Sequence, residues 1–193
     1  MEVTFALGIF AGILQLIGFA IYNRQVFKGT SKPNATTWTL WAFLTVLAAS
    51  SYIVITNDFA KYALPLAGAF ANIATFLYAL VAGKFRRIDR FDTIILFAGI
   101  FAATIWYIFQ SAYFANMLIT AIITLSLVPI FRGVVKDPQT EKALPWIVWA
   151  LAYILSTITV LLRGADLWAL LYPIMGLINH GTVALLSLRR KSL

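Results

Sequence analysis

Cysteine is absent from the 193-residue chain and histidine occurs once. Disulfides, thiolate metal sites and multi-histidine zinc or copper centres are therefore excluded. Charge is scarce: Asp, Glu, Lys and Arg make up 11% of the residues, and only seven residues are acidic. An ordinary soluble domain carries about 25%. No P-loop, nucleophile elbow or His-Glu-x-x-His segment occurs. The chain is thus read as a non-enzyme that needs no cofactor.

Hydrophobic residues fill 62% of the chain, and the mean hydropathy is +0.88. A membrane-spanning helix needs about 20 mostly apolar residues, and such segments lie near 4–23, 36–56, 61–83, 92–110, 112–131, 143–162 and 167–188. Seven spans use nearly the whole sequence. No room is left for a soluble catalytic or nucleotide-binding domain. The first span has no basic region before it, so it is read as a retained helix and not as a signal peptide. Span seven contains no internal lysine, which excludes a retinal Schiff base.

The net charge of +8 is explained by where the basic residues lie. Arg24, Lys28 and Lys32 follow span one; Lys84, Arg86, Arg87 and Arg90 follow span three; Arg132, Lys136 and Lys142 follow span five; Arg189, Arg190 and Lys191 end the chain. Only Lys61 and Arg163 fall on the other side. The positive-inside rule then places the C-terminus in the cytoplasm and the N-terminus outside. The glycosylation sequon Asn34-Ala35-Thr36 falls in a cytoplasmic loop, where it would not be used.

The two halves match at a spacing of 108 residues. Trp38-x-x-Trp41-Ala42 recurs as Trp146-x-x-Trp149-Ala150, Asp58 as Asp166, Pro65 as Pro173 and Gly68 as Gly176. Two three-helix units joined directly would point in opposite directions, because each crosses the membrane an odd number of times; one extra span restores parallel orientation. The expected architecture is an all-α membrane protein of seven helices. Residues 1–84 form the first repeat, 85–111 a linker and inverter helix ending at Gln110, and 112–193 the second repeat. This is the 3+1+3 plan of the sugar carriers called SWEETs.

Residue detail strengthens that likeness. Arg24-Gln25-Val26-Phe27-Lys28-Gly29, followed by a short polar loop and Trp38, resembles the Pro-Gln helix end of the PQ-loop superfamily, which includes SWEETs and lysosomal amino-acid exporters. Arg24 stands where that motif has proline; in the second unit Pro129 is kept and Ile130 replaces glutamine. The third helix of each unit carries Pro65-x-x-Gly68-x-x-x-Asn72 and Pro173-x-x-Gly176-x-x-x-His180, with Asn179 beside the histidine. Residues seven apart differ by about 20° around a helix, so proline and polar partner share a face. The resemblance implies that Asn72 and either Asn179 or His180 contact substrate. Register pairs Asn72 with His180, chemistry pairs it with Asn179, and the alternative is that all three merely bond neighbouring helices.

Other positions extend the candidate site. Family members often stack an aromatic residue on the substrate from the middle of helix two, where Tyr52 stands beside Ser50 and Ser51. Gln15, Asn116, Thr120 and Thr124 lie within spans, the last three at a spacing of four that makes a polar stripe. Trp38, Trp41, Trp146 and Trp149 are read either as an interfacial belt or as an inner gate, with Pro65 and Pro173 as the flexible points of gating. Asp58 with Lys61, and Arg163 with Asp166, are read as charge clusters at the outer turns or as an outer gate. Gly8-x-x-x-Gly12 reads as a packing device.

The expected function is transport of a small polar, sugar-like solute by alternating access. No Asp or Glu lies deep in a span to complete a proton relay, so facilitated diffusion is expected over driven transport. A vitamin, nucleoside-like or amino-acid solute is the first alternative. A receptor of the KDEL-receptor type, which would need cations in its cavity, is the second. The expected partners are the solute and the lipid bilayer, without nucleic acid, and a homo-oligomer is compatible. Compact loops suit a prokaryotic inner membrane.

Overall fold

Hydrocarbon offers no hydrogen-bond partners, so a chain that crosses it must satisfy every backbone N–H and C=O internally. The computed structural model describes residues 2–31, 35–82, 90–109, 111–164 and 167–189, and among them helix is the only extended element. In order these are α1 (Glu2–Phe27), α2 (Ala35–Thr56), α3 (Phe59–Val81), α4 (Arg90–Phe109), α5 (Ala112–Ser126), α6 (Val128–Lys136), α7 (Ala143–Leu162) and α8 (Leu167–Ser187). A 3₁₀ turn, Pro138–Thr140, links α6 to α7. Among the described residues six stretches are long and apolar enough to cross a membrane: α1, Trp38–Thr56 of α2, α3, Ala112–Lys136, α7 and α8. Among residues named above, Lys32, Asn34, Lys84, Arg86, Arg87, Gln110, Asp166, Arg190 and Lys191 lie outside the described residues, as does most of the linker before α4.

Span five is not one helix. Pro129 has no N–H to continue the ladder, and the helix ends one turn earlier, where Leu127 N donates to Thr124 O at 3.2 Å. A second short helix then carries the chain on to Lys136. In α1 the matching position is Arg24, which can donate, and that helix runs unbroken to Phe27.

The side-chain distribution is that of a bundle in lipid. Phe10, Val54, Phe70, Leu80, Leu161 and Leu185 face outward, whereas Gln15, Asn72, Asn116, Thr120, Asn179 and His180 are buried. Burial of polar groups with exposure of large apolar ones is the reverse of a soluble core. Helix α3 packs against both α1 and α2; α8 packs against both α5 and α7. Between the halves, α1 packs on α7 and α2 on α5.

The Gly8-x-x-x-Gly12 pattern acts as a packing device. A Cβ at Gly8 would strike the backbone carbonyl of Ala60 on α3, and one at Gly12 would come within 3.2 Å of the Ala63 carbonyl. Gly181 on α8 has nothing within 4 Å of such an atom. Gly8→Ala should therefore lower stability in detergent by about 1–3 kcal/mol, while Gly181→Ala should leave it unchanged or raise it by up to about 1 kcal/mol. Equal melting temperatures for the two variants would contradict this packing.

Candidate functional site

The side chains that meet at the centre of the bundle come from both halves. They enclose a cavity of about 30 Å³, room for one or two water molecules. Its wall includes Gly68 and Gly176, Asn72 and His180, and Thr45 and Tyr153, three pairs at the 108-residue spacing. Gln15 and Thr120 make a fourth pair, each nine residues before the matched positions Arg24 and Pro129. Asn179, Phe19, Trp41, Ile123, Tyr172 and Met175 complete the wall. Among the described residues no Asp, Glu, Lys or Arg contributes to it. Register and chemistry therefore need not compete for the partner of Asn72, because Asn179 and His180 both line the space.

Hydrogen-bond accounting shows which groups are committed. Asn72 Nδ2 donates to Gly68 O at 2.9 Å, leaving Oδ1 buried without a partner. Thr124 Oγ1 gives its hydrogen to Thr120 O at 3.0 Å, so it can only accept from Asn179 Nδ2, 2.9 Å away. His180 Nδ1 lies 2.8 Å from Gly176 O. A carbonyl accepts only, so that nitrogen carries the hydrogen and Nε2 of the neutral ring keeps its lone pair. Gln15 Oε1 and Thr120 Oγ1 are likewise buried and unpartnered. Each such group costs about 1–3 kcal/mol. Three of them border this one small cavity, while others, such as Asn116 Oδ1 and the Tyr22 hydroxyl, lie elsewhere in the bundle.

The tryptophans do not form a lipid-facing belt. Trp38, Trp41, Trp146 and Trp149 are all at most 3% exposed and pack inside the bundle, at the end where α2 and α7 begin. Trp41 Nε1 donates to Ser126 Oγ at 2.8 Å, beside the break between α5 and α6. Trp149 Nε1 donates to Gln15 O at 3.2 Å, tying α7 to α1. The rings of Trp41, Trp146, Trp149 and Tyr153 surround His180, with centroids 6.1, 5.5, 5.5 and 4.9 Å from it. Indoles at a helix start do face the interface in many membrane proteins. Here the matched starts of α2 and α7 turn toward each other, which sequence position alone does not reveal.

Tyr52 and Asn116 are drawn elsewhere. Tyr52 is fully buried, and its hydroxyl donates to Ala169 O at 2.5 Å. Its ring packs 5.6 Å from that of Tyr172, which lines the cavity in its stead. Asn116 Nδ2 donates to Ser51 Oγ at 3.1 Å, joining α5 to α2 outside the cavity wall. Of the polar stripe on α5, Thr120 lines the cavity and Thr124 supports Asn179. Pro65 and Pro173 are buried inside α3 and α8, away from the wall.

Two features at the ends of the bundle differ from expectation. Asp58 does not pair within its own turn: it accepts from Arg163 Nε at 2.6 Å, while Arg163 also donates to Thr4 Oγ1 at 2.9 Å. The turn before α3 is thereby bound to the turn before α8, and Asp58 caps α3 by accepting from Ala60 N at 3.1 Å. At the opposite end, Glu141 is only 7% exposed, and its Oε2 accepts from Trp146 Nε1 at 3.1 Å. Burial raises its pKa from 4.5 to about 7, with the indole hydrogen bond opposing the shift. No motif flags this residue in the sequence, because it sits in an ordinary polar connection and only the packing of α1 and α7 encloses it.

Comparison of the chain with protein-family models, with curated proteins and with solved structures yields no match. The bond from Trp149 to Gln15 O supplies a local test. Trp149→Phe removes the donor while the Gln15 carbonyl keeps its place in the α1 ladder, and should cost about 0.5–1.5 kcal/mol in a detergent unfolding titration. A cost below 0.5 kcal/mol, on the order of an uninvolved surface change, would contradict this role.

Proposed function

We propose that the protein is a membrane carrier moving a small, uncharged, polar solute of sugar-like character by alternating access. The observation that carries this reading is the small central cavity between the halves, walled by matched residues and holding buried, unpartnered polar atoms but, among the described residues, no charged side chain. An uncharged wall supplies no counter-charge to an ionic ligand and suits a neutral one. The rings of Phe19, Trp41, Tyr153 and Tyr172 would flank the solute; Asn72, Asn179, His180, Gln15 and Thr120 would hydrogen-bond it.

In this reading α4 is the seventh span and the inverter between two parallel three-helix repeats, with the basic end of the bundle in the cytoplasm. Support comes from the matched packing, α3 against α1 and α2, α8 against α5 and α7. The PQ-loop resemblance gains a structural role for Gln25: its carbonyl accepts from Thr30 N at 2.9 Å and its side chain from Ser31 Oγ at 3.2 Å, closing the end of α1. The tryptophan cluster would shut the cytoplasmic side and the Asp58–Arg163 pair the outer side. Rocking of the halves would then break one closure at a time. A receptor for a peptide carboxylate is disfavoured by the lack of a cation in the wall, and so is a zwitterionic amino acid.

Proteoliposome uptake of labelled sugars, nucleosides and amino acids tests the proposal. A neutral solute is expected to enter saturably. Asn72→Ala and Asn179→Ala should each reduce uptake by about tenfold, the equivalent of one buried hydrogen bond of about 1.4 kcal/mol. Uptake undiminished in both variants would sink the site assignment; saturable peptide binding without uptake of any solute would favour a receptor. Asp58→Asn, which weakens the outer closure, should speed modification of a cavity cysteine by a membrane-impermeant thiol reagent from the outside. An unchanged rate would remove the ion pair from the gate.

A further inference from the structure

Glu141 is the one acidic side chain among the described residues that is both buried and unaccompanied by a cation. It follows the 3₁₀ turn and lies two residues before α7. Tyr22 faces it from α1 and Trp146 from α7. Among the described residues the charged groups on the surrounding elements are engaged elsewhere or bring no pair to it, and Arg24 and Lys28 at the end of α1 are exposed. Lys142 Nζ donates to Gln139 Oε1 at 3.0 Å, Arg189 donates to the carbonyls of Val134 and Val135 at 2.8 and 3.1 Å, and Asp137 caps the 3₁₀ turn through Gln139 N. Arg132 and Lys136 belong to α6, which packs on that turn. Among the described residues no lysine or arginine forms an ion pair with Glu141.

What buries the carboxyl is the closure itself. Trp146 lies over Glu141 on one side and, on the other, packs against Trp41, Trp149 and His180. Contacts of Tyr22 and Phe19 on α1 with Trp149 on α7, and of Trp41 on α2 with Trp146 on α7, join the halves across this end. Separating the halves here would part those rings and admit water to Glu141.

We infer that Glu141 is a proton-binding site that regulates the cytoplasmic gate: the closed bundle retains the proton, and opening releases it to the cytoplasm. The inference rests on the carrier reading above. Ionisation places an unpaired negative charge in the closed core, where its desolvation is costly, while the open end hydrates it. Closure is therefore favoured when the carboxyl is neutral and opposed when it is charged. The site lies on the cytoplasmic side of the tryptophans, so it responds to cytoplasmic pH and need not couple transport to a proton gradient. Uniport with a pH-set gate is the result.

The sign and range follow from linkage. Below pH about 4.5 the carboxyl is neutral in both states and exerts no bias. Between 4.5 and about 7 the bias toward opening grows, and above 7 it is complete. An open state with an ordinary carboxyl would gain by up to about 300-fold in the open-to-closed ratio over that range.

The natural absence of cysteine permits a test that needs no solute. Met175→Cys places one thiol in the cavity wall, and Lys28→Cys places one on the exposed surface as a control for thiolate ionisation. In inside-out vesicles, a membrane-impermeant thiol reagent should modify the cavity thiol up to about tenfold faster at pH 8 than at pH 6, after division by the control rate. With Glu141→Gln added, the normalised ratio should fall to near 1; with Glu141→Asp a pH step should remain. Tryptophan emission of the cysteine-free protein should show a transition near pH 7 that Glu141→Gln removes, in protein whose helical circular dichroism is intact. The same pH profile in Glu141→Gln as in the parent would overturn the gate while leaving the carrier reading untouched. A cavity thiol that never reacts from either side of the membrane would overturn alternating access and the gate together.

Discussion

A polar group left unpaired in hydrocarbon costs several kcal/mol, and the arrangement of this protein follows from how that cost is met or left unmet. Within the helices the backbone ladder meets it. At the helix ends side chains do so: Asp58 caps α3, Ser111 caps α5, and Arg189 covers carbonyls near the end of α6. Between helices, Ser and Thr hydroxyls give their hydrogens to the turn behind them, as Ser51 does to Ala48 O and Thr45 to Trp41 O. Ser51 Oγ, with its hydrogen already committed, then serves as an acceptor for Asn116.

Against that background three of the unmet groups fall together, while others, such as Asn116 Oδ1 and Ser187 Oγ, lie elsewhere. Gln15 Oε1, Asn72 Oδ1 and Thr120 Oγ1 belong to residues lining the same space. The amide nitrogen of Asn72 is taken by Gly68 O, so that side chain is anchored by one group and leaves the other uncommitted. Anchoring with one group limits the rotamer freedom that a ligand would otherwise have to remove on binding, which is preorganisation in the ordinary sense.

The two ends of the bundle use different physics. At one end an ion pair joins the halves, with each member about one-fifth exposed. Water competes for both partners, so such a contact breaks readily. At the other end stacked aromatic rings join the halves, a larger and less polar contact that holds one carboxyl inside it. A solvent-accessible ionic contact thus lies opposite a greasy one; in the proposed carrier these would be two closures of different character, one sensitive to salt and the other to protonation.

Composition and periodicity alone dictated helices and their approximate limits, because 62% hydrophobic residues in runs of about 20 leave helix as the economical way to satisfy the backbone in lipid. The 108-residue echo was also legible, and it named Asn72 and His180, with Asn179 added by its chemistry; the three share one cavity wall. Sequence could not decide what each face touches. Tryptophans at a helix start read equally well toward lipid or toward a partner helix; only the packing of α1 on α7 and of the aromatic rings on one another turns them inward. Tyr52 and Asn116 look like lining from their depth, yet Ala169 O and Ser51 Oγ, distant in sequence, claim them. Glu141 was invisible for the same reason. Its proton affinity comes from being enclosed by residues on either side of a bundle it does not itself span, and enclosure is a property of the tertiary structure that no spacing of residues encodes.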